Sequence, residues 1–162
     1  MDAVRDFEDM LDAMQRHGVR YLIVGGLAFI YHAKPRFTKD MDLWIEPTPE
    51  NIRRANRALA EFGSPHLLSE DEPGSILQIG LPPNRIDLIQ TLEGVAFAEA
   101  WARRATARYG RVQANWIDLE HLLDIKSLID DPRHQADARD LRRVREMRRG
   151  RRSPPQDTLG QE

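Results

Sequence analysis

The feature that most constrains the fold is a short, wholly apolar run, Tyr21–Val24, which ends in two adjacent glycines, Gly25 and Gly26. A run of this length, bounded by a turn signal, is typical of a β-strand that is covered on both faces. Residues 27–32 then have the composition of a short helix. A strand that passes through a tight glycine turn into a helix directs backbone N–H groups toward one point, where an anion can bind.

Helices and strands alternate through the rest of the chain. Apolar residues at helical spacing predict helices over residues 2–17, 50–62, 95–104, 119–129 and 136–149. Short runs bounded by turn residues predict strands over residues 40–45, 76–81, 85–90 and 109–117. We therefore expect an α/β (α+β) protein in which a mixed β-sheet is flanked by helices and followed by a C-terminal helical segment.

Length and composition indicate one domain. The chain has 162 residues, of which 41% are hydrophobic, and this is enough for a single core. We expect the domain to span residues 1–150, with a core over 1–91 and a C-terminal strand and helices over 92–150. Residues 151–162 are polar, and we expect them to form a disordered tail.

Composition also excludes several classes of protein. The chain contains no cysteine, which excludes a disulfide scaffold, a thiolate zinc site and a cysteine nucleophile. A net charge of −2 argues against a protein that coats nucleic acid with its whole surface. There is neither a signal-peptide pattern nor an apolar run near the roughly 20 residues needed to cross a bilayer. We therefore expect a soluble, cytoplasmic protein without a membrane partner.

Three carboxylates stand out as candidate metal ligands. Asp40 and Asp42 are two residues apart on a predicted strand, so both project from one face, about 6–7 Å apart at the backbone. Two carboxylates this close repel one another unless a cation lies between them, and Mg²⁺ or Mn²⁺ takes such oxygen ligands. Asp87 interrupts an otherwise apolar strand, where an acid is costly unless a metal, a charged partner or water compensates it.

Each of these signals has a simpler explanation when it is taken alone. An Asp-x-Asp pair is often a solvated strand face, Asp87 could be a turn residue, and Gly25-Gly26 could be only a turn. Their order along the chain favours an active site. The apolar strand, the glycine turn and the helix supply a phosphate cradle, and the acidic strands supply metal ligands. Phosphoryl transfer assisted by two metal ions requires such a set.

Three short segments resemble the signature of the DNA polymerase β-like nucleotidyltransferase superfamily: Val24-Gly25-Gly26, Asp40-Met41-Asp42 and Ile86-Asp87-Leu88. The longer segment from Arg36 to Asp42 resembles the R-x-T-x-D-x-D pattern of a small bacterial group related to AbiEii-type toxins and MNT-type antitoxins. The likeness covers residues 5–147.

The resemblance implies a nucleotidyltransferase-like fold and an enzyme that transfers a nucleoside monophosphate from an NTP such as ATP to a hydroxyl of an RNA or protein acceptor. It implies that Asp40 and Asp42 bind Mg²⁺ or Mn²⁺, and that Asp87, the third acid of this metal site, assists deprotonation of the acceptor. Its implied nucleotide contacts are Gly25, Gly26, Thr38 and Lys126. The partners it implies are the NTP, an RNA such as tRNA, and a cognate toxin or antitoxin protein.

Some alternatives stay open at this point. The chain could be a catalytically inactive relative that binds a nucleotide or a partner. Lys126 could be a snorkelling lysine at a helix edge instead of a nucleotide contact. Residues 139–152 carry eight arginines, which suit either a phosphate-rich partner or a solvated helix face. The histidines show no metal-ligand spacing, and we expect only His32 to lie near the glycine turn.

Overall fold

The computed structural model describes residues 3–152, which form six helices and six strands. Their order is α1 (Arg5–Arg16), β1 (Tyr21–Val24), α2 (Gly25–His32), β2 (Asp40–Ile45), α3 (Pro49–Phe62), β3 (Leu77–Ile79), β4 (Arg85–Ile89), α4 (Phe97–Ala102), β5 (Ala105–Tyr109), β6 (Val112–Trp116), α5 (Leu119–Leu128) and α6 (Pro132–Arg152). None of the helices in this part of the chain combines the length and the apolar composition needed to cross a membrane.

The six strands form one mixed sheet in the order β3-β4-β2-β1-β6-β5. β2 runs parallel to β4 and antiparallel to β1, while β1 runs parallel to β6. This register places Asp42 between Val24 on one neighbouring strand and Asp87 on the other. The predicted fold class, a mixed sheet flanked by helices with a helical C-terminal segment, is confirmed.

Helices cover both faces of the sheet, as the apolar run of β1 predicts. Tyr21 and Ile23 pack in a core with residues of α1 and α3, while Leu22 and Val24 pack in a second core with residues of α2, α4, α5 and α6. Alternate residues of a strand point to opposite faces, so β1 is buried along its whole length. The strand that carries the glycine turn is therefore held firmly from both sides.

The strand predicted over residues 109–117 is present as β6 over Val112–Trp116, but its first residue, Tyr109, ends a separate strand, β5, with which β6 forms a hairpin. Tyr109 pairs with Val112 across a two-residue loop, and Gly110 takes a positive φ of 56° at its first position. A glycine in this position allows the tight turn that suits two antiparallel strands. The helix predicted over residues 95–104 is shorter in the structure, where α4 spans Phe97–Ala102 and β5 begins at Ala105.

The last helix begins at Pro132, four residues earlier than predicted. The carboxylate of Asp131 accepts hydrogen bonds from the backbone N–H groups of Arg133 and His134, at 2.8 and 3.3 Å. Proline has no N–H to satisfy in the first turn, so here it starts a helix instead of only ending the previous one. α6 also continues through Arg152, into the predicted tail, and residues 153–162 lie outside the described part of the chain. The division into domain and tail stays a prediction.

Candidate active site

The structure brings the three predicted carboxylates together on one face of the sheet. β2 and β4 are parallel neighbours, so Asp42 and Asp87 lie side by side and Asp40 lies two residues earlier on the same face. One oxygen from each of the three groups lies within 4.8 Å of the others. These are carboxylate oxygens at a spacing that a single divalent cation can span.

Arg85 is a fourth member of this site that the sequence analysis missed. Its Nη2 donates to Asp40 Oδ2 at 2.7 Å and to Asp87 Oδ2 at 3.2 Å. In the parallel register Arg85 lies opposite Asp40, and the period of two along β4 places Arg85 on the same face as Asp87. This alternation of Arg85 and Asp87 was the signal in the sequence that could have identified Arg85. With all three acids ionised, the cluster carries two uncompensated negative charges.

The site also contains an unsatisfied buried acceptor. Asp87 is 7% exposed, and its Oδ1 lies 3.1 Å from Arg85 Nε at an angle that does not make a hydrogen bond. Within residues 3–152, Oδ1 therefore lacks a hydrogen-bond partner. A buried acceptor without a hydrogen bond is rare in folded proteins, and a metal ion is one partner that a carboxylate oxygen accepts.

Burial and mutual repulsion shift the acids toward their protonated forms. Burial, followed by the charges of Asp40 and Asp87, raises the pKa of Asp42 to about 7. Burial also raises the pKa of Asp87, although the positive charge of Arg85 opposes that change. Both carboxylates are thus disfavoured in their charged forms, and the charge of a bound divalent cation would oppose these shifts.

The glycine turn is shaped by close contact with the acidic cluster. α2 begins at Gly25, two residues earlier than predicted, and Gly25 has a positive φ of 65°. A Cβ atom on Gly25 would collide with Oδ2 of Asp42, while one on Gly26 would lie 2.8 Å from Thr38 Oγ1. Only glycine fits both the backbone conformation and the space at position 25.

The N-terminus of α2 is open to an oxygen ligand. No described side chain caps its first turn, so the first N–H groups of the helix have no side-chain partner. Thr38, predicted as a nucleotide contact, lies beside Gly26 and donates its hydroxyl to the backbone oxygen of Asp40 at 3.3 Å. The predicted cradle of Gly25, Gly26 and Thr38 is therefore one continuous surface next to the carboxylates.

Lys126 lies in a buried ionic network instead of snorkelling. Its side chain is only 5% exposed, and its Nζ lies 3.0 Å from Asp137 Oδ2 and donates to His134 Nδ1 at 3.1 Å. Arg36 contacts the other oxygen of Asp137 at 2.6 Å. Burial alone would raise the pKa of Asp137, but the hydrogen bonds from Lys126 and Arg36 outweigh it and lower that pKa. The network joins the loop before β2 to α5 and α6.

A cavity of about 270 Å³ separates this network from the acids. Gly25, Asp42 and Asp87 line one side, and Lys126 and His134 line the other. The remaining lining is apolar and comes from Val24, Ile76, Ile89, Leu92, Leu122, Ile125 and Ile129. Four of the predicted site residues, Gly25, Asp42, Asp87 and Lys126, thus line one cavity, with carboxylates on one side and a cation on the other, whereas Asp40, Gly26 and Thr38 lie outside its lining.

His32 does not lie near the glycine turn, and that expectation is wrong. His32 is the last residue of α2 and Gly25 is the first, so about 10 Å of helix separates them. The Nε2 of His32 donates to the backbone oxygen of Ile117 at 2.6 Å. His32 therefore ties the far end of α2 to the residue that follows β6.

No protein-family model matches the chain, and no curated protein matches it in sequence. Two solved structures share its architecture. A lincosamide antibiotic adenylyltransferase, LnuA, bound to lincomycin, has a TM-score of 0.54 and 16% identity over 88% of this chain and 99% of that chain. ANT(2″)-Ia, in complex with adenylyl-2″-tobramycin, has a TM-score of 0.52 and 16% identity over 91% of this chain and 97% of that chain. The chain therefore has the polymerase β-like nucleotidyltransferase fold, as its strand order, its flanking helices and these two similarities show.

Proposed function

We propose that the chain is a metal-dependent nucleotidyltransferase that transfers a nucleoside monophosphate from an NTP to a hydroxyl group. The observation that carries the proposal is the cluster of Asp40, Asp42 and Asp87, whose oxygens lie within 4.8 Å of one another beside the open N-terminus of α2. The fold is shared with two nucleotidyltransferases. Because similar folds can host different activities, the proposal depends on the site more than on this similarity.

The residues of the cluster fit a hard divalent cation. All three donors are carboxylates, Oδ1 of Asp87 has no hydrogen bond within the described chain, and the acids exceed Arg85 by two negative charges. Mg²⁺ and Mn²⁺ prefer this donor set. When bound, such an ion would polarise the triphosphate and stabilise the charge that develops during transfer. Asp40 and Asp42 would hold it, with Asp87 as the third ligand.

The other residues have distinct roles in this proposal. The N–H groups at Gly25 and Gly26 would contact the triphosphate, since no side chain blocks their approach. Asp87 would accept the proton of the attacking hydroxyl, and its burial favours this because a raised pKa makes a carboxylate a stronger base. Thr38 would contact phosphate beside Gly26, and Lys126 would contact the nucleotide across the cavity.

The acceptor can be a small molecule as well as a macromolecule. The solved structures with this fold contain lincomycin or adenylyl-2″-tobramycin, and the chain covers nearly their whole length. The sequence resemblance instead implies an RNA or protein acceptor and a place in a toxin–antitoxin system. A neighbouring gene for a helix-turn-helix regulator or a HEPN-type partner would support that second context.

Transfer of label from an NTP tests the proposal directly. The purified chain is incubated with Mg²⁺ and an NTP labelled at its α-phosphate. Separate reactions contain lincomycin, tobramycin, total RNA or cell protein as the acceptor. We expect one acceptor class to become labelled by wild type and by Asp124→Asn, an exposed control on α5, but not by Asp87→Asn. Equal labelling by all three proteins would contradict the role of the carboxylates.

An inactive relative is the second candidate, and Arg85 is the observation that favours it. Its guanidinium lies between Asp40 and Asp87, where it supplies part of the positive charge that a metal would provide. This candidate predicts that NTP binds equally well with Mg²⁺ or with EDTA, and that no acceptor is labelled. Calorimetric titration of a non-hydrolysable NTP under both conditions distinguishes the two.

A further inference from the structure

A second cavity, also about 270 Å³, lies where the end of α4 meets α5 and α6. We call it the arginine groove. Its charged lining comes from Arg103, Asp118, Glu120, Arg145, Arg148 and Arg149. Four guanidinium groups from two separate segments thus converge on one concave surface, against two carboxylates.

The two carboxylates of the groove already have partners. Asp118 caps α5 and contacts the ring of His121 at 2.6 Å, while Glu120 lies 3.5 Å from Arg145. Among residues 3–151, no carboxylate forms an ion pair with the three other lining arginines, Arg103, Arg148 and Arg149. The groove therefore keeps a surplus of positive charge directed into a cavity.

One nitrogen of a lining arginine also lacks a hydrogen-bond partner. The Nε atom of Arg145 is buried, and no acceptor within the described chain takes its hydrogen. A buried donor without a partner is rare in folded proteins and points to a ligand that completes it. Beside it, Arg148 Nη2 lies 3.4 Å from Nδ1 of His32, whose other nitrogen is bound to Ile117. This contact with a buried histidine restricts the position of Arg148.

We infer that the arginine groove binds phosphate groups. Guanidinium groups form paired hydrogen bonds with phosphate oxygens, and several of them on one surface are typical of phosphate recognition. No aromatic side chain lines this cavity in the described part of the chain, so the recognition concerns a phosphate backbone or a free polyphosphate and not stacked bases. The eight arginines near the C-terminus thus contribute, in part, to a shaped site.

The groove and the Lys126–Asp137 pair lie along the same helix, α6. Asp137, which pairs with Lys126, and Arg148 lie on the same helix, 11 residues apart, or about 16 Å. A strand of nucleic acid could extend over that distance, whereas a free polyphosphate would occupy the groove alone. The inference does not depend on the proposed transferase activity.

Binding in EDTA, without any nucleotide transfer, tests the groove by itself. Fluorescence anisotropy with a short labelled single-stranded RNA measures the affinity at several salt concentrations, and unlabelled tripolyphosphate is the competitor. The groove variant is Arg148→Gln with Arg149→Gln. The matched control, Arg142→Gln with Arg143→Gln, removes the same charge from the same helix at positions outside the groove lining.

We expect the groove variant to bind RNA about tenfold more weakly and to lower the slope of log affinity against log salt by about 1.4, since two phosphate contacts are lost. The control should stay within about twofold of wild type. If RNA does not bind but calorimetric titration shows that tripolyphosphate binds wild type and the control more tightly than the groove variant, the ligand is a free polyphosphate and the phosphate site stands. Equal losses in both variants would show that only net charge matters, and absence of binding by wild type would show that there is no site. Either of these results overturns the inference.

Discussion

Replacing Asp42 by asparagine removes the carboxylate that the fold disfavours most in its charged form. Burial, together with Asp40 and Asp87, raises the pKa of Asp42 from an ordinary 3.8 to about 7. Between these values the folded chain binds a proton that the unfolded chain has lost. The free energy of unfolding therefore falls as pH rises from about 4 to about 7.

The size of this effect follows from the two pKa values. A difference of this magnitude corresponds to roughly 4 kcal/mol at pH values above both of them. Asp42 is only partly buried, so solvent screening reduces the effect to about 2 kcal/mol. In EDTA we expect Asp42→Asn to be more stable than wild type by about this amount at pH 8, and equally stable at pH 4.

Urea unfolding monitored by circular dichroism measures the difference in stability between wild type and Asp42→Asn at pH 4 and at pH 8. Asp124→Asn makes the same chemical change at an exposed position of α5 and serves as the control. With millimolar Mg²⁺ at pH 8 the order should reverse, because wild type gains the free energy of metal binding and the variant loses a ligand. An Asp42→Asn protein that is less stable than wild type at pH 8 in EDTA would refute the reasoning.

Three further predictions concern the glycine turn, the β1–β2 pair and the Lys126–Asp137 pair. Gly25→Ala should abolish stabilisation by Mg²⁺, since its Cβ would displace the carboxylate of Asp42. The control, Gly63→Ala, lies at a φ of 94° with open space around it, so it should lower stability by about 1–2 kcal/mol and keep the Mg²⁺ response. Asn51→Ala should lower the free energy of urea unfolding by about 3 kcal/mol, because the Asn51 side chain makes three hydrogen bonds of 2.8–3.0 Å to the backbone of Arg20 and Glu46, at one end of the β1–β2 pair; a loss below 1 kcal/mol would contradict this. Asp137→Asn should cost about 3 kcal/mol in thermal unfolding because it leaves Lys126 buried without its carboxylate, and an unchanged melting temperature would show that the pair is not structurally important.

The acids could be located from the sequence because their signals are local. Asp40 and Asp42 lie two residues apart in an alternating strand, and Asp87 interrupts an apolar one. The parallel pairing of β2 with β4, which brings the three together, is not local, since Asp42 and Asp87 are 45 positions apart. The sequence therefore predicted which residues belong to the acidic cluster, whereas their convergence depends on the pairing of β2 with β4.

The errors arose where a local pattern was ambiguous or where a contact was distant. The alternation around Tyr109 suits one long strand as well as a hairpin, and only the positive φ of Gly110 distinguishes them. The pairing of Arg36 with Asp137 joins residues 101 positions apart, and nothing near either residue indicates it. Buried ionic networks of this kind depend on how helices pack onto the sheet, which a single sequence does not specify.

Arg85 has one contact that a local pattern indicates and one that depends on distant strand pairing. Its alternation with Asp87 was visible in the sequence, but its contact with Asp40 requires the strand register. Because its guanidinium and a divalent cation would share the same oxygens, Arg85→Gln should bind Mg²⁺ about fivefold more tightly than wild type, as expected for removal of one nearby positive charge. Titration of Mg²⁺ by calorimetry at pH 8 measures this, with Arg54→Gln, which breaks an exposed pair with Glu50, as the control.

Competition between Arg85 and Mg²⁺ for the same carboxylates also predicts a change in stability. Asp40 and Asp87 would lose a positive neighbour in Arg85→Gln, so the variant should be less stable than wild type in EDTA and should recover most of that loss when Mg²⁺ is added. If Arg85→Gln instead binds Mg²⁺ more weakly, the arginine arranges the carboxylates for the metal and does not compete with it. In that case the ion pair seen in the structure would be part of the metal site, and the case for an inactive relative would lose its one supporting observation.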